Sequence, residues 1–149
     1  MVDRVMLEYR VQARRIDAHG SIASTKDAEV LLDTDPAGRS DAFNPAELLL
    51  ASLAACMIKS TERIIPMIHF ELRGMEVRLH AVRQDVPPKL TEIRYELIVD
   101  TDEDDRRLEL RHTNVRKYGT VSNTLAGATD LAGTVRRKSS HPSGDVDGG

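Results

Sequence analysis

Cysteine occurs only once in this chain of 149 residues, at Cys56. An intramolecular disulfide is therefore excluded, and the cysteine content agrees with a reducing cytoplasm. Long hydrophobic runs are also missing, since the longest apolar stretch is about ten residues and a membrane span needs roughly 20. Residues 1–4 lead directly into alternating charge, so we expect no signal peptide. These absences predict a cytoplasmic protein without a membrane partner.

The chain also lacks a large excess of positive or negative charge. The chain has 21 lysines and arginines against 24 aspartates and glutamates, a net charge of −3. This balance gives no electrostatic reason to expect binding to nucleic acid or to an anionic membrane. The length suits one domain, which we assign to residues 1–137. Residues 138–149 are rich in Ser, Pro, Gly and Asp and are predicted to form a flexible tail.

Common signatures of metal and cofactor chemistry are not found. The five histidines are scattered, and no pair has metal-ligand spacing on a predicted helix or strand. The acidic run at 100–105 superficially resembles a calcium loop, but Asp105 and Arg111 replace the required Gly and Glu. The chain has no dinucleotide fingerprint and no G-x-S-x-G nucleophile motif. We therefore predict no metal and no cofactor.

Hydrophobic periodicity predicts an α+β fold with a mainly antiparallel sheet. The predicted elements, in chain order, are strands at 4–15, 21–24 and 28–33, a helix from Pro45 to about Ile65 that ends near Pro66, an antiparallel pair of strands at 75–85 and 90–100, a helix opening at 102–105 and ending near 118–119, a short helix at 122–128 and a closing strand at 131–137. In the second long helix, Leu108, Leu110, Val115 and Tyr118 are the predicted core contacts.

The sequence FNPAELLLASLAACM contains the single cysteine on a well-marked helix. Asn44 is a good N-cap residue, Pro45 suits the first helical position, and Glu47 completes a capping box. Residues 48–57 are apolar or small on every side, which predicts a helix buried all round. Cys56 is then either a small buried hydrophobe or a nucleophile. It lies about three turns into the helix, too far for activation by the helix dipole.

Two stretches resemble signatures of one known family. NPAELLLASLAAC is similar to the central-helix signature of the OsmC/Ohr family, the osmotically inducible and organic hydroperoxide resistance proteins. RKYGTVSNTL, residues 116–125, resembles the family's second signature, in which a cysteine normally begins the conserved string. The order of predicted elements agrees with this family over nearly all of residues 1–138. The resemblance implies an intertwined homodimer with two equivalent sites at the subunit interface.

The resemblance also implies roles for individual residues. In the active peroxidases of this family, a central-helix cysteine attacks a hydroperoxide, a second cysteine forms a disulfide with it, and an external dithiol restores both. The first position is Cys56, but Gly119 stands at the second. The activating glutamate's position is occupied by Ala46, with Glu47 next to it as the candidate. Arg15 is the candidate for the activating arginine; Arg14 is also close, but strand alternation lets at most one of them face the thiol.

The amino-acid sequence alone is compatible with three functions. The first is a one-cysteine thiol peroxidase, in which an organic hydroperoxide oxidises Cys56 to a sulfenic acid that external thiols reduce. The second is a non-catalytic family member that binds a small hydrophobic ligand at the dimer interface. For either role we assign Leu49 and Leu53 as candidate ligand contacts. The third is a structural protein without a small-molecule role.

Overall fold

The computed structural model describes residues 6–139 of the chain. These residues divide into two compact units, one up to Leu49 and one from Leu50 onward. The boundary falls inside the first helix. The predicted limits of the domain at 1–137 and of the tail at 138–149 stay predictions, and residues 140–149 lie outside the described part.

The first unit contains a three-stranded antiparallel sheet. Its strands are β1 (Gln12–Asp17), β2 (Gly20–Thr25) and β3 (Ala28–Asp33), hydrogen-bonded in that order. The turn between β1 and β2 is held by the Asp17 carboxylate, which accepts hydrogen bonds from the backbone N–H groups of His19 at 2.8 Å and Gly20 at 3.1 Å. This is an Asx-type turn, in which a short carboxylate replaces a backbone acceptor.

The first strand differs from its predicted span of 4–15. Residues 6–11 form no strand, although the Arg10 carbonyl accepts a hydrogen bond from the Thr25 hydroxyl at 2.7 Å, and residues 4–5 lie outside the described part. The ladder begins at Gln12 because the partner strand is short. Gln12 faces Ser24, and β2 ends one residue later. The apolar side chains that suggested a half-buried strand, Leu7, Tyr9 and Val11, are 71%, 79% and 68% exposed.

The first helix, α1 (Pro45–Ile68), begins with the predicted capping box. The Asn44 side-chain oxygen accepts from the Glu47 N–H at 2.8 Å, and the Glu47 carboxylate accepts from the Asn44 N–H at 2.9 Å. Two N–H groups that the helix itself leaves unsatisfied are thereby paired. The capping roles predicted for Asn44 and Glu47 are confirmed.

The end of α1 lies beyond Pro66, where the sequence suggested a stop. Pro66 is followed by only two more helical residues, so the hydrogen bond that its missing N–H removes lies at the very end of the helix. The helix ends at Ile68, because the next residue, His69, has a left-handed φ of 54°. The N–H of Phe70 donates to the carbonyl of Ile65 at 3.5 Å, and the two side chains pack in one apolar cluster. These features form a Schellman motif with histidine at the position that glycine usually occupies.

The second unit is built on another three-stranded sheet. Its strands are β4 (Gly74–Gln84), β5 (Lys89–Asp100) and β6 (Asp130–Arg137), with β5 in the centre. The β4–β5 pair is antiparallel, as predicted, whereas β5 and β6 are parallel. Parallel neighbours need a long crossover connection, which α2 (Asp105–Tyr118) and α3 (Thr120–Ala126) supply. The α+β class predicted from sequence is confirmed.

The core of the second unit lies between its sheet and helices. Leu53 and Met57 of α1 are fully buried in one cluster that includes Ile93 and Leu97 of β5 and Val115 of α2. Burying each such side chain contributes roughly 1.5–3 kcal/mol. This packing fixes the face that α1 turns toward the sheet.

Two of the four predicted α2 core contacts are wrong. Leu108 and Val115 are buried, but Leu110 and Tyr118 are each 59% exposed. The residues that face the core recur at helical spacing, and the intervening core position is taken by Arg111, which is 2% exposed. Its guanidinium lies 5.1 Å from the centre of the Phe70 ring.

Candidate active site around Cys56

Cys56 lies at the edge of the buried face of α1. Its neighbours Leu53, Met57 and Ser60 are buried, while Cys56 itself is partly exposed and forms no disulfide. The sequence-based expectation of a helix buried on all sides therefore does not hold within one chain. Leu49 and Ile58 are each 38% exposed on the same helix.

Gly119 is the residue that α2 brings against the thiol. It separates α2 from α3 with an extended backbone, φ −82° and ψ 123°, and its carbonyl accepts the Asn123 N–H that begins α3. A Cβ built on Gly119 would lie 3.3 Å from the Cys56 sulfur. In a disulfide, the sulfur of one cysteine lies about 3 Å from the Cβ of the other. The predicted proximity of the second-signature position to Cys56 is confirmed.

Ser122 borders the same small space from the first turn of α3. It is 1% exposed, and its Oγ would lie 3.1 Å from the Gly119 Cβ position. Within residues 6–139 this hydroxyl has no hydrogen-bond partner. Ser122 lies inside the second signature, but the sequence predicts no role for it, because helical spacing alone does not reveal which residue of a short helix faces a distant cysteine.

Glu47 and Arg15 lie in the first unit. Glu47 is engaged in the capping box described above. Arg15 is exposed on β1, where it faces Ser21 of β2. The pKa of the neighbouring Asp17 carboxyl is lowered mainly by the backbone hydrogen bond from His19, with the positive charge of Arg15 as a minor cause. A role for Glu47 or Arg15 at the thiol stays a prediction.

The two predicted ligand contacts differ in exposure. Leu53 is completely buried and packs in the core of the second unit, so a ligand reaches it only if the core opens. Leu49 keeps 38% of its surface exposed. Their assignment as ligand contacts stays a prediction, and exposure favours Leu49.

A cleft of about 480 Å³ runs between α1 and α2 beside this site. Its lining residues are Ser60, Arg63, Ile64 and Met67 of α1 and Asn114 and Tyr118 of α2. Ser60 lies one helical turn after Cys56, and Tyr118 immediately precedes Gly119. The cleft thus uses the turn of α1 that follows Cys56 and the last turn of α2, and it offers apolar walls with a few polar groups, as small-molecule sites commonly do.

A polar cluster lies between α2 and β5. The Arg116 guanidinium donates to the Tyr95 hydroxyl at 3.3 Å, and that hydroxyl lies 2.6 Å from His112 Nε2. Burial lowers the pKa of His112, and burial raises the pKa of Tyr95 against the opposing effect of Arg116. Both groups are thus neutral near pH 7, with Tyr95 donating to an unprotonated Nε2. This cluster holds α2 on β5.

No helix in the described part of the chain is long and apolar enough to cross a membrane. Residues 6–139 also contain no group of three or more histidine, cysteine or acidic side chains placed to hold a metal ion.

Known structures share this architecture over nearly the whole chain. An OsmC-like protein from Mycoplasma pneumoniae is 19% identical, with a TM-score of 0.83, and the match covers 91% of this chain and 100% of that one. An organic hydroperoxide resistance protein OsmC from Legionella pneumophila is 18% identical with a TM-score of 0.66, covering 89% and 98%. The organic hydroperoxide resistance protein OhrB of Bacillus subtilis is 18% identical with a TM-score of 0.63, and the match covers 87% of this chain and 98% of that one.

Sequence comparison identifies the family. No protein of curated function matches this sequence significantly. The family model described as OsmC-like protein, however, matches residues 38–132. This region begins before α1 and ends inside β6, so it includes both the Cys56 helix and Gly119. The chain belongs to the OsmC-like protein family.

Proposed function

We propose that this protein is a one-cysteine thiol peroxidase that reduces organic hydroperoxides and uses an external thiol as the reductant. The observation that carries the proposal is the 3.3 Å approach between the Cys56 sulfur and the Cβ position of Gly119. The thiol thus lies against the position of the family's second cysteine, while this chain has no second cysteine. Two structural relatives are named organic hydroperoxide resistance proteins.

The reaction follows from the chemistry of a thiolate. The Cys56 sulfur attacks one oxygen of the hydroperoxide, a sulfur–oxygen bond forms and the oxygen–oxygen bond breaks. The alkoxide leaves and takes a proton, so the hydroperoxide becomes an alcohol and the thiol becomes a sulfenic acid. An external thiol then forms a mixed disulfide with Cys56 and releases water, and a second thiol frees Cys56.

A homodimer is part of this proposal. The single chain leaves Leu49, Ile58 and Met67 of one helix exposed at 38%, 38% and 75%. Covering such a helix with a second copy removes apolar surface from water, at about 25 cal/mol per Å². We place the protein in the cytoplasm, where reduced thiols are available as co-substrates.

The direct test measures hydroperoxide consumption in the presence of a small thiol. Wild type should consume an aromatic hydroperoxide with two equivalents of thiol oxidised to one disulfide per peroxide, and Cys56→Ser should show only the uncatalysed rate. The control is Thr124→Ala, which removes an exposed hydroxyl on α3 and should keep the wild-type rate. Equal rates for wild type and Cys56→Ser would overturn the peroxidase proposal.

A second candidate function is binding of a small hydrophobic ligand without catalysis. The observation in its favour is the cleft between α1 and α2, which Ile64, Met67 and Tyr118 line with apolar surface. Binding of an environment-sensitive fluorescent dye should then be weakened by Met67→Lys and left unchanged by Cys56→Ser. A protein that binds in this way but consumes no peroxide fits the second function.

A further inference from the structure

The space around the Gly119 Cα is bordered by three reactive or polar atoms, one from each of the three helices. A Cβ placed there would lie 3.3 Å from the Cys56 sulfur, 3.1 Å from Ser122 Oγ and 2.9 Å from the Val115 carbonyl oxygen. A side chain at this position would therefore crowd its neighbours, and only glycine leaves the space open. The sulfur and the hydroxyl share this space.

The Ser122 hydroxyl is a buried donor without an acceptor in the described part of the chain. The residue is 1% exposed, so bulk water does not supply the missing hydrogen bond. Buried polar groups are nearly always paired, and an exception often marks a role in catalysis or redox chemistry. The hydroxyl and the Cys56 sulfur border the same space, so an oxygen atom added to the sulfur could accept the missing hydrogen bond.

We propose that Ser122 donates a hydrogen bond to the sulfenic oxygen of oxidised Cys56, in the space that Gly119 leaves open. This inference rests on the proposed peroxidase function. The space lies at Gly119, where the family resemblance implies a second cysteine, and the Ser122 hydroxyl borders it. The hydroxyl holds the sulfenic acid until an external thiol arrives.

The hydrogen bond has a chemical consequence for over-oxidation. In that step the sulfenate sulfur attacks a second hydroperoxide, a new sulfur–oxygen bond forms, the peroxide bond breaks and a second alcohol leaves, giving a sulfinic acid. A donor to the sulfenic oxygen withdraws electron density and lowers the nucleophilicity of the sulfur. Ser122 thus slows the loss of the catalytic thiol while the oxidised enzyme waits for its reductant.

The experiment compares wild type with Ser122→Ala after several equivalents of an aromatic hydroperoxide, without added thiol, since each sulfinic acid consumes two. A dicarbonyl reagent traps sulfenic acid at timed intervals, and mass spectrometry counts trapped, sulfinic and free Cys56. Loss of one hydrogen bond should increase the ratio of sulfinic to sulfenic acid about three- to tenfold. Thr124→Ala is the matched control, because its exposed hydroxyl on the same helix donates to the Thr120 carbonyl.

If Ser122 only stabilised the fold, its removal would lower the melting temperature. Removing an unpaired buried hydroxyl should leave the melting temperature of Ser122→Ala unchanged or slightly higher, so a change in the oxidation ratio is not a sign of unfolding. A second variant, Gly119→Ala, fills the space itself and should also raise the ratio. Gly127→Ala is its control, since a Cβ there meets only the Thr124 carbonyl oxygen, at 3.8 Å.

The outcomes separate the two proposals. Wild type that forms no sulfenic acid overturns the peroxidase function and this inference with it. Wild type that forms sulfenic acid, with Ser122→Ala and Gly119→Ala giving the same ratio as their controls, overturns only the role of Ser122. An increased ratio in both variants supports it.

Discussion

The Cys56 sulfur lies 3.3 Å from the Cβ position of Gly119, which is close to the geometry of a disulfide. Gly119→Cys should therefore form a disulfide between residues 56 and 119 after one equivalent of hydroperoxide. The Val115 carbonyl at 2.9 Å must move by a few tenths of an ångström, so we expect some loss of stability in the reduced variant. Peptide mass spectrometry under non-reducing conditions detects the cross-link.

Gly127→Cys is the control for this experiment. Its Cβ position is close only to the Thr124 carbonyl oxygen, and it should give no cross-link to Cys56. Two thiols in Gly119→Cys that stay free or are oxidised separately would contradict the geometry at the end of α2.

Glu47 should act mainly as a helix cap. Glu47→Gln can keep the hydrogen bond from the Asn44 N–H, so the free energy of unfolding should fall by well under about 1 kcal/mol. Asn44→Ala removes the reciprocal bond and should cost about 1 kcal/mol. Thermal and denaturant unfolding measure both. A large loss of Cys56 reactivity in Glu47→Gln at unchanged melting temperature would show that the carboxylate acts on the thiol.

Two aspartate substitutions on α1 test the proposed dimer. Leu53→Asp places a charge in a core that is fully buried within one chain, and it should unfold the protein at a cost of several kcal/mol. Leu49 is partly exposed, so Leu49→Asp is unfavourable mainly if a second copy covers it. We expect Leu49→Asp to aggregate or to unfold. A folded, soluble monomer, seen by light scattering, would contradict an obligate dimer.

His112 should make stability depend on pH. Burial lowers its pKa in the folded state below the ordinary value of 6.5, so the unfolded chain binds a proton first as the pH falls. The contribution of neutral His112 is complete above about pH 6.5 and is lost progressively below it. Between pH 7 and pH 5, the free energy of unfolding should fall more in wild type than in His112→Gln. Equal slopes in denaturant titrations would exclude this assignment.

Most elements of the fold could be predicted because their signals are local. The capping box, the alternation of β4 and β5 and the glycine between α2 and α3 are all visible in short stretches of sequence. The limits of β1 were wrong because they depend on where β2 ends, which alternation within 4–15 does not contain. The end of α1 was misplaced because His69 adopts a left-handed conformation that histidine seldom takes.

The candidate site was less predictable. Family resemblance located Cys56 and Gly119, but the role proposed for Ser122 depends on its hydroxyl and the Cys56 sulfur both lying against Gly119, which no periodicity reports. Arg111 shows the same difficulty, since a cation at a core position of α2 contradicts the usual pattern of apolar residues. Its stacking on Phe70 offsets part of the cost of burial.

The parallel pairing of β6 has a consequence for the order of folding. Its first partner residues, Glu92 and Asp130, are separated by both helices of the crossover, so the ladder closes a long loop. Until that loop closes, the central strand β5 has one bare hydrogen-bonding edge. Contacts between residues so distant in sequence slow folding, and an unpaired edge can join another chain. Refolding of this protein should therefore be most prone to aggregation before its last strand docks.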